Sequence, residues 1–316
     1  MTLTELRYIV ALARDRHFGR AAEACFVSQP TLSVAIKKLE EELGVAIFER
    51  GSNEVGVTPI GAQIVAQAEK VLEESSVLKE IAMQGKDPLD GPLRLGIIYT
   101  IGPYLLPVFM KQMIERTPRM PLLLVENFTV KLLELVRLGE LEAAIMALPL
   151  PETGLLAMPL YDEPFVVAVP RAHPWASRRS IASADLKDEN MLLLGAGHCF
   201  REQVLEVCPE LAKITPSASL GPMQKAFEGS SLETIRHMVA SGIGITVLPQ
   251  TSVPAEAPQD SLLRYLPFEK PVPDRRVVLV WRKSFPRTLA IEAIRQAVLA
   301  CELPGVRKLN LGSALV

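Results

Sequence analysis

The sequence predicts two unlike parts joined by one long helix: a small helical N-terminal domain and a larger α/β domain. Apolar residues recur at helical spacing through most of the first sixty residues. From Pro59 to about Met83 a helical pattern continues without an internal proline. Beyond residue 92, short apolar runs alternate with helix-like segments, which is the pattern of an α/β fold.

The composition bounds the class of protein. The 316 residues are 49% hydrophobic and 22% charged, so the chain can build real cores, and its length predicts two or three domains. A net charge of −2, taken over the whole chain, argues against a nucleic-acid binder. Four cysteines are too few for a disulfide scaffold. Charges interrupt the apolar N-terminus and every long apolar run, so we expect a cytoplasmic protein without a secretory signal or membrane span.

The first domain is predicted to hold three helices. The first begins near Leu3, and the second runs from Gly19 to Cys25. The third starts after Ser28, whose hydroxyl suits an N-cap, and has Pro30 in its first turn, where the missing N–H costs nothing. Gly44 ends it, as glycine commonly does at a helix C-terminus.

The third helix has two faces and is followed by a predicted hairpin. One face is apolar and points to the core: Leu32, Ile36, Leu39 and Leu43. The other face is uncharged or basic: Gln29, Ser33, Val34 and Lys37. Apolar residues flank the turn from Arg50 to Glu54, which predicts a small hairpin, or wing. The three helices and this wing together predict a winged helix-turn-helix, whose recognition helix enters a DNA major groove. Residues 14–38 carry a net charge of +3 inside a near-neutral domain, and a protein-binding helical domain remains the alternative.

The long helix predicts a dimer. Ile64, Val71 and Leu78 repeat every seven residues, with Ala68 and Ala82 at the intermediate phase, which is a weak coiled-coil seam. A helix of this length needs something to cover its apolar stripe, although packing on its own domain is the alternative. Turn-forming residues then predict a hinge.

The remaining two-thirds predict parallel sheets in two subdomains. Six strands are expected: Leu93–Ile98, Leu122–Val125, Ala143–Met146, Phe165–Val169, Met191–Leu194 and Ile245–Leu248, with Val277–Trp281 as a seventh on the return. The expected domains are a DNA-binding domain at 1–58, a dimerisation helix at 59–84, a hinge at 85–91, subdomain I at 92–164 plus 269–301, and subdomain II at 165–268. Such a bilobed domain resembles the periplasmic binding proteins.

Cys199 and Cys208 are the cysteines of chemical interest. The glycine-flanked segment before Cys199 predicts a helix that begins near this residue, where unpaired backbone N–H groups favour a thiolate, with His198 and Arg201 beside it. A buried, inert cysteine is the alternative. If residues 199–208 are helical, the two Cα atoms are about 13 Å apart. A disulfide needs roughly 4.4–6.8 Å, so the helix must unwind before the pair can close.

The N-terminal sixty residues resemble the LysR-type transcriptional regulators. The resemblance rests on Arg20-Ala-Ala-Glu-Ala, Val27-Ser-Gln-Pro-Thr-Leu-Ser, Ile36-Lys-Lys-Leu-Glu and Leu43-Gly-Val-Ala-Ile-Phe-Glu-Arg. It implies that the cap and reading face of the third helix contact DNA, with bases approached by Gln29, Pro30, Ser33 and Lys37 and phosphates by Thr31 and Arg50. Ser28 and Val34 complete the candidate DNA site. The wing carries Glu54 and few basic residues, which is a departure from the family pattern.

His198-Cys199-Phe200-Arg201 with Cys208 resembles the hydrogen-peroxide-sensing group of that family, as does Tyr99-Thr-Ile-Gly-Pro-Tyr. The resemblance implies that Cys199 attacks peroxide to give a sulfenic acid and that Cys208 resolves it to a disulfide. It also implies that Thr100, Thr129, His198 and Arg201 hold peroxide, although the residues alone favour ordinary helix capping by the two threonines.

The resemblance implies an activator of antioxidant genes with promoter DNA and hydrogen peroxide as partners. It further implies a homo-oligomer, with a dimer of dimers expected, a thiol reductant such as a glutaredoxin system, and contact with RNA polymerase. We expect no cofactor and no metal, since the sequence has neither CxxC nor a zinc array. Three alternatives remain open: a LysR-type regulator that binds an organic ligand between its lobes, a thiol peroxidase, and a solute-binding protein.

Overall fold

The computed structural model describes residues 1–50, 55–83, 87–151, 154–209, 231–254 and 261–309, and only the backbone of residues 50, 76, 77 and 79–83. Contacts divide the chain into two compact units, Met1–Gly85 and Lys86–Val316. Within the described ranges, no helix is long and apolar enough to cross a membrane.

The first unit has three short helices, a hairpin and a long helix. In chain order these are α1 (Leu3–Asp15), α2 (Phe18–Ala24), α3 (Gln29–Leu43), β1 (Phe48–Arg50), β2 (Val55–Val57) and α4 (Pro59–Met83). The two strands pair antiparallel, from Phe48 opposite Val57 to Arg50 opposite Val55. The winged helix-turn-helix predicted from the sequence is therefore confirmed.

Helix α3 is closed at both ends by its own sequence. At the start, the Ser28 hydroxyl accepts the backbone N–H of Thr31 at 3.3 Å, and proline occupies the first turn. At the end, Gly44 adopts a left-handed φ of 70° and returns its N–H to the Glu40 carbonyl. Its apolar residues Leu32, Ile36 and Leu39 are buried, as the spacing predicts.

Helix α4 packs on its own unit along one side of its described part. Val65, Ala68 and Leu72 are buried, and the helix contacts α1. Val71 and Leu78 of the predicted seam stay exposed, at 37% and 70%. The side chain of Ala82 lies outside the described part of the chain. Local packing is therefore confirmed for one stripe, which includes Ala68 of the predicted seam. Val71 and Leu78 remain uncovered on this chain, and the dimer stays a prediction.

The second unit contains eight strands and five α-helices in the residues described. In chain order they are β3 (Leu93–Ile98), α5 (Gly102–Arg116), β4 (Leu122–Asn127), α6 (Thr129–Arg137), β5 (Ala143–Ala147), β6 (Leu155–Pro170), α7 (Cys199–Val207), α8 (Leu232–Ala240), β7 (Thr246–Pro249), β8 (Leu263–Pro267), β9 (Asp274–Arg282), α9 (Thr288–Ala300) and β10 (Arg307–Lys308).

The strands form a mixed sheet rather than the parallel sheets predicted. The order is β10-β6-β9-β5-β3-β4, and β6 also pairs with β7 and β8. Among the paired strands described, the parallel pairs are β3 with β4 and β3 with β5. The prediction was wrong for β6 and β9, which pair antiparallel from Leu155 opposite Arg282 to Pro164 opposite Asp274, because an apolar run predicts a strand but not its direction.

Strand β6 belongs to both halves of this unit. It pairs with β9 as far as Pro164, and from Phe165 onward it pairs with β7 and β8. Two separate hydrophobic cores lie on either side of this change of partner: a first core around β3, β5 and β9, and a second core around the end of β6, β7 and α7.

One predicted strand is wrong. Residues Met191–Leu194 make a single bridge, from Met191 to Ile245, and no ladder. The segment is apolar because it is buried in the second core, where Met191, Leu192 and Leu194 are 2–5% exposed. The apolar run therefore predicted burial correctly but not a strand. The glycines that follow it lead the chain into α7 before further strand pairing forms.

Candidate functional site

Helix α7 carries the two cysteines at its two ends. Cys199 is the first residue of the helix, and Cys208 follows its last residue. His198 occupies the N-cap position without a side-chain cap, so the N-terminal turn keeps backbone N–H groups available near Cys199. Gly197 precedes it with a left-handed φ of 95°, and a Cβ at that glycine would lie 3.4 Å from the Phe128 ring.

The two thiols lie in different cores. Cys199 is half-buried and packs against the first core, whereas Cys208 is 1% exposed and belongs to the second core. The two cysteines are nine positions apart, and a helix rises 1.5 Å per residue, so their Cα atoms are about 13 Å apart. Both are separate thiols in this structure. The predicted helix between them is confirmed, and with it the geometric barrier to a disulfide.

The two threonines are buried without capping a helix. Thr100, after β3, is 3% exposed; its hydroxyl accepts Nη1 of Arg275 at 2.9 Å, and its carbonyl accepts Nη2 at 2.9 Å. Thr129, at the start of α6, is 7% exposed, and its hydroxyl has no hydrogen-bond partner. Neither α5 nor α6 has a side-chain cap. The capping explanation for these residues was therefore wrong.

Arg275 is a site residue that sequence reasoning missed. It forms an ion pair with Glu163 at 2.8 Å in which both side chains are fully buried. Its guanidinium also lies 5.2 Å from the centroid of the Phe200 ring in α7. Glu163 accepts the backbone N–H of Thr251 at 2.8 Å, which secures its second oxygen. Arg275 thus links β6 and β9 to both Thr100 and α7. Charged residues within the otherwise apolar β9 were the available signal.

Three aromatic rings meet beside Cys199. Tyr99, Phe128 and His198 contact one another edge to face, at centroid distances of 4.7–6.0 Å. Burial lowers the pKa of His198, which favours the neutral imidazole. Each ring directly precedes one candidate pocket residue, respectively Thr100, Thr129 and Cys199. Thr100, Thr129 and Cys199 therefore each follow, by one peptide unit, a ring of this contact.

Arg201 is turned toward the backbone. Its Nη1 donates to the Leu194 carbonyl at 2.8 Å, and its N–H donates to the His198 carbonyl at 3.0 Å. These bonds tie the first turn of α7 to the segment that precedes it. The role of Arg201 beside peroxide stays a prediction, and its described contacts indicate that it positions the start of α7.

The candidate DNA residues lie mainly on the exposed side of α3. Ser28, Gln29, Pro30, Thr31, Val34 and Lys37 are exposed, and Ser33 is half-buried. The hydroxyls of Ser28 and Thr31 lie 2.8 Å apart within the cap. Lys37 forms an exposed ion pair with Glu41 at 3.7 Å, which is weak in water. Arg50 ends β1, but its side chain and the wing turn at 51–54 lie outside what the structure describes.

An open cleft borders α7 on the side of its second turn. It has a volume of about 720 Å³, and its wall includes Leu148, Pro149, Phe165, Gln203, Val207 and Arg275. Gln203 donates to the Leu148 carbonyl at 2.7 Å, while its own buried oxygen has no partner. Among the residues described, no cluster of His, Cys, Asp or Glu is placed to hold a metal ion.

Two family models match this chain over most of its length. The bacterial regulatory helix-turn-helix protein model of the lysR family matches residues 3–62, and the LysR substrate binding domain model matches residues 86–300. The chain belongs to the LysR family of regulators. Its first unit is the DNA-binding part of a LysR protein, and its second unit is the regulatory part.

Similar LysR proteins are named for hydrogen peroxide or as OxyR. The DNA-binding transcriptional dual regulator OxyR of Escherichia coli K12 is 42% identical over 300 residues, which is 95% of each chain. A full-length OxyR variant from Pseudomonas aeruginosa is 50% identical over 99% of each chain, with a TM-score of 0.70. A hydrogen-peroxide-bound OxyR mutant from Corynebacterium glutamicum is 35% identical over 94% of this chain and 91% of its own, with a TM-score of 0.61.

Proposed function

We propose that this LysR-family protein is a DNA-binding transcriptional regulator that senses hydrogen peroxide through Cys199 and activates antioxidant genes. The observation that carries the proposal is the placement of two thiols at the ends of one nine-residue helix, each packed in a different core. A bond between them requires that helix to unwind. The chemistry of the thiols is thereby coupled to the fold of the regulatory unit.

The proposed chemistry has two steps. The Cys199 thiolate attacks one peroxide oxygen; the O–O bond breaks, hydroxide leaves, and a sulfenic acid remains. The Cys208 thiolate then attacks the sulfur of that sulfenic acid; the S–O bond breaks, hydroxide takes up a proton to leave as water, and a disulfide forms. The protein loses two electrons and peroxide gains them. A thiol reductant such as a glutaredoxin system returns the pair to thiols.

We assign peroxide binding to Thr100, Thr129, His198 and Arg201 around Cys199. The support is strongest for the threonines. Arg275 donates to the Thr100 oxygen, so the one hydroxyl proton of Thr100 is left to donate elsewhere. The buried hydroxyl of Thr129 has its hydrogen-bonding capacity unused. A small, hydrogen-bonding molecule such as peroxide would satisfy both groups.

We assign DNA reading to the exposed face of α3. Gln29, Pro30, Ser33 and Lys37 are the base-reading candidates, and Thr31 and the wing Arg50 are the phosphate candidates. Ser28 and Val34 complete the candidate site. Pro30 shapes the first turn. The whole chain carries a net charge of −2, so specificity depends on a matched geometry of two or more copies more than on charge.

We further propose a homo-oligomer, a dimer of dimers, in which the exposed stripe of α4 at Val71 and Leu78 is covered by another copy. Contact with RNA polymerase follows from the role of an activator. We also propose the domain borders that the sequence predicts.

Because its proposed partners are promoter DNA and a cellular reductant, we place the protein in the cytoplasm. Each disulfide is one signalling event, so the protein is not an enzyme and needs no cofactor.

The decisive test uses the full-length reduced protein and one equivalent of hydrogen peroxide. Alkylation and mass spectrometry should show a two-dalton loss on the peptides that contain Cys199 and Cys208. Cys199→Ser should retain promoter binding and lose the peroxide-dependent change in its DNase footprint. Cys301→Ala, at a buried cysteine that donates to the Ala297 carbonyl at 3.1 Å, is the matched control and should respond normally. A footprint that still shifts in Cys199→Ser contradicts the proposal.

The cleft beside α7 supports a second candidate function, regulation by a small organic ligand. The observation in its favour is the unsatisfied buried oxygen of Gln203 on the cleft wall. The test is a melting-temperature screen on Cys199→Ser/Cys208→Ser protein, with carboxylates and amides as probes. A saturable rise that Gln203→Leu removes would establish a ligand site independent of the thiols.

A further inference from the structure

The three rings of Tyr99, Phe128 and His198 form what we call the ring cluster. Phe128 is at its centre, 4.7 Å from the His198 ring and 5.3 Å from the Tyr99 ring, with interplanar angles of 66° and 76°. Tyr99 and His198 complete it at 6.0 Å and 61°. These are edge-to-face arrangements, which are the attractive geometry for aromatic pairs.

The ring cluster joins three separate segments at the thiol. Tyr99 follows strand β3, Phe128 follows strand β4, and His198 is the N-cap of α7. The residue after each ring is one of the three that the proposed chemistry brings together: Thr100, Thr129 and Cys199. Contact among the rings therefore fixes the relative positions of the three backbone segments, because Thr100, Thr129 and Cys199 are each one peptide unit from a ring.

The cluster also spans the two halves of the regulatory unit. Tyr99 and Phe128 directly follow strands of the first core, whereas His198 caps the helix that reaches into the second core. Cys208 is nearly fully buried and Cys199 is only half-buried. When the two sulfurs meet, the Cys199 end is therefore the end that travels, and His198 must leave the cluster with it.

We propose that the ring cluster positions Cys199 for attack on peroxide and opposes its release toward Cys208, so that Phe128 acts on the two steps in opposite directions. The inference rests on the proposed function and assigns positioning residues to it. Loss of the central ring loosens the alignment of Cys199 with the threonines, which slows sulfenic acid formation. The same loss frees the N-terminus of α7, which speeds disulfide formation.

The test measures both rates on full-length reduced protein. Quenched-flow samples are trapped with a sulfenic-acid reagent and with a thiol alkylator, and both products are counted by mass spectrometry. Phe128→Leu, which keeps an apolar side chain, should lower the second-order rate with peroxide about tenfold and raise the first-order rate of disulfide formation about threefold. Tyr99→Phe keeps the ring contact and should stay within about twofold of the wild type in both steps.

Each outcome decides a different point. A wild type that forms no sulfenic acid at Cys199 overturns the proposed function, and the inference with it. A wild type that reacts normally beside a Phe128→Leu protein with unchanged rates, or with both rates lowered together, overturns the inference alone. General unfolding would also free α7 and speed the second step, so both rates are measured at a temperature where the circular dichroism of Phe128→Leu matches that of the wild type. If Phe128→Leu does not fold, Tyr99→Leu repeats the test at the most exposed ring, which is 39% exposed.

Discussion

Helices α3 and α7 carry the two proposed activities, and they are stabilised in different ways. Helix α3 has 15 residues, a serine cap, a proline in its first turn and a left-handed glycine at its end. Helix α7 has nine residues and no side-chain cap at its start, and it ends at Cys208, whose φ is −135°. The reading helix is specified by its own sequence, whereas the sensing helix depends on its surroundings.

This difference suits the two tasks. A helix of nine residues is too short to be stable alone in water, so α7 persists because its neighbours hold it. Phe200 packs against Phe165 at 5.2 Å and against the Arg275 guanidinium, and Gln203 donates to the Leu148 carbonyl. A reading helix must keep one shape on DNA. A sensing helix must unwind, so it is better stabilised by contacts with neighbouring residues that can break when the disulfide forms.

The largest expected effect comes from removing the external support of α7. Glu163→Ala leaves Arg275 as a buried charge without its carboxylate, which should cost about 3–5 kcal/mol of unfolding free energy. Both tryptophans, Trp175 and Trp281, lie in the regulatory unit, so urea unfolding followed by tryptophan fluorescence reports that unit alone.

The matched control removes both charges. Glu163→Leu/Arg275→Met should recover most of the lost stability, since a buried pair can be replaced by apolar residues at small cost. The double variant should still react poorly with peroxide, because Thr100 loses the donor that orients it. If Glu163→Ala unfolds like the wild type, α7 does not depend on this ion pair.

The same contrast explains how far the sequence predicts the fold. Caps, breakers and helical spacing are local signals, so Ser28, Gly44 and the limits of α4 were predicted correctly. Strand direction is a non-local property. The parallel sheets were wrong because β6 and β9 pair along their length in opposite directions, which no local pattern reveals.

The residues of the candidate site also differ in whether a local or a non-local signal identifies them. Cys199 and the helix that follows it could be found from the glycines and the cysteine spacing. Arg275 left only a weak signal, a charge in an otherwise apolar strand, because it lies 76 residues away in the chain and reaches Thr100 only through the fold. The ring cluster was equally invisible, since Tyr99, Phe128 and His198 meet only where three segments end together.

A smaller effect is expected from the cap of α3. Ser28→Ala removes the acceptor for the Thr31 N–H and should cost about 1 kcal/mol of helix stability, with a several-fold loss of promoter affinity. Ser231→Ala is the matched control. It removes the same kind of cap, to the N–H of Thr234 at 3.2 Å, from α8 in the other unit. Both variants should lose similar stability, and only the first should lose DNA binding in a fluorescence-anisotropy titration.

The smallest effect tests whether the local weakness of α7 is itself part of the sensor. Glu206 is exposed in its last turn, so Glu206→Gly and Glu206→Ala remove the same charge and differ mainly in helix propensity, by about 1 kcal/mol. The glycine variant should favour the unwound, disulfide form about fivefold over the alanine variant, a difference of about 20 mV in a glutathione redox titration. Equal midpoints would mean that α7 does not unwind as the disulfide forms, and that the two cores move together instead.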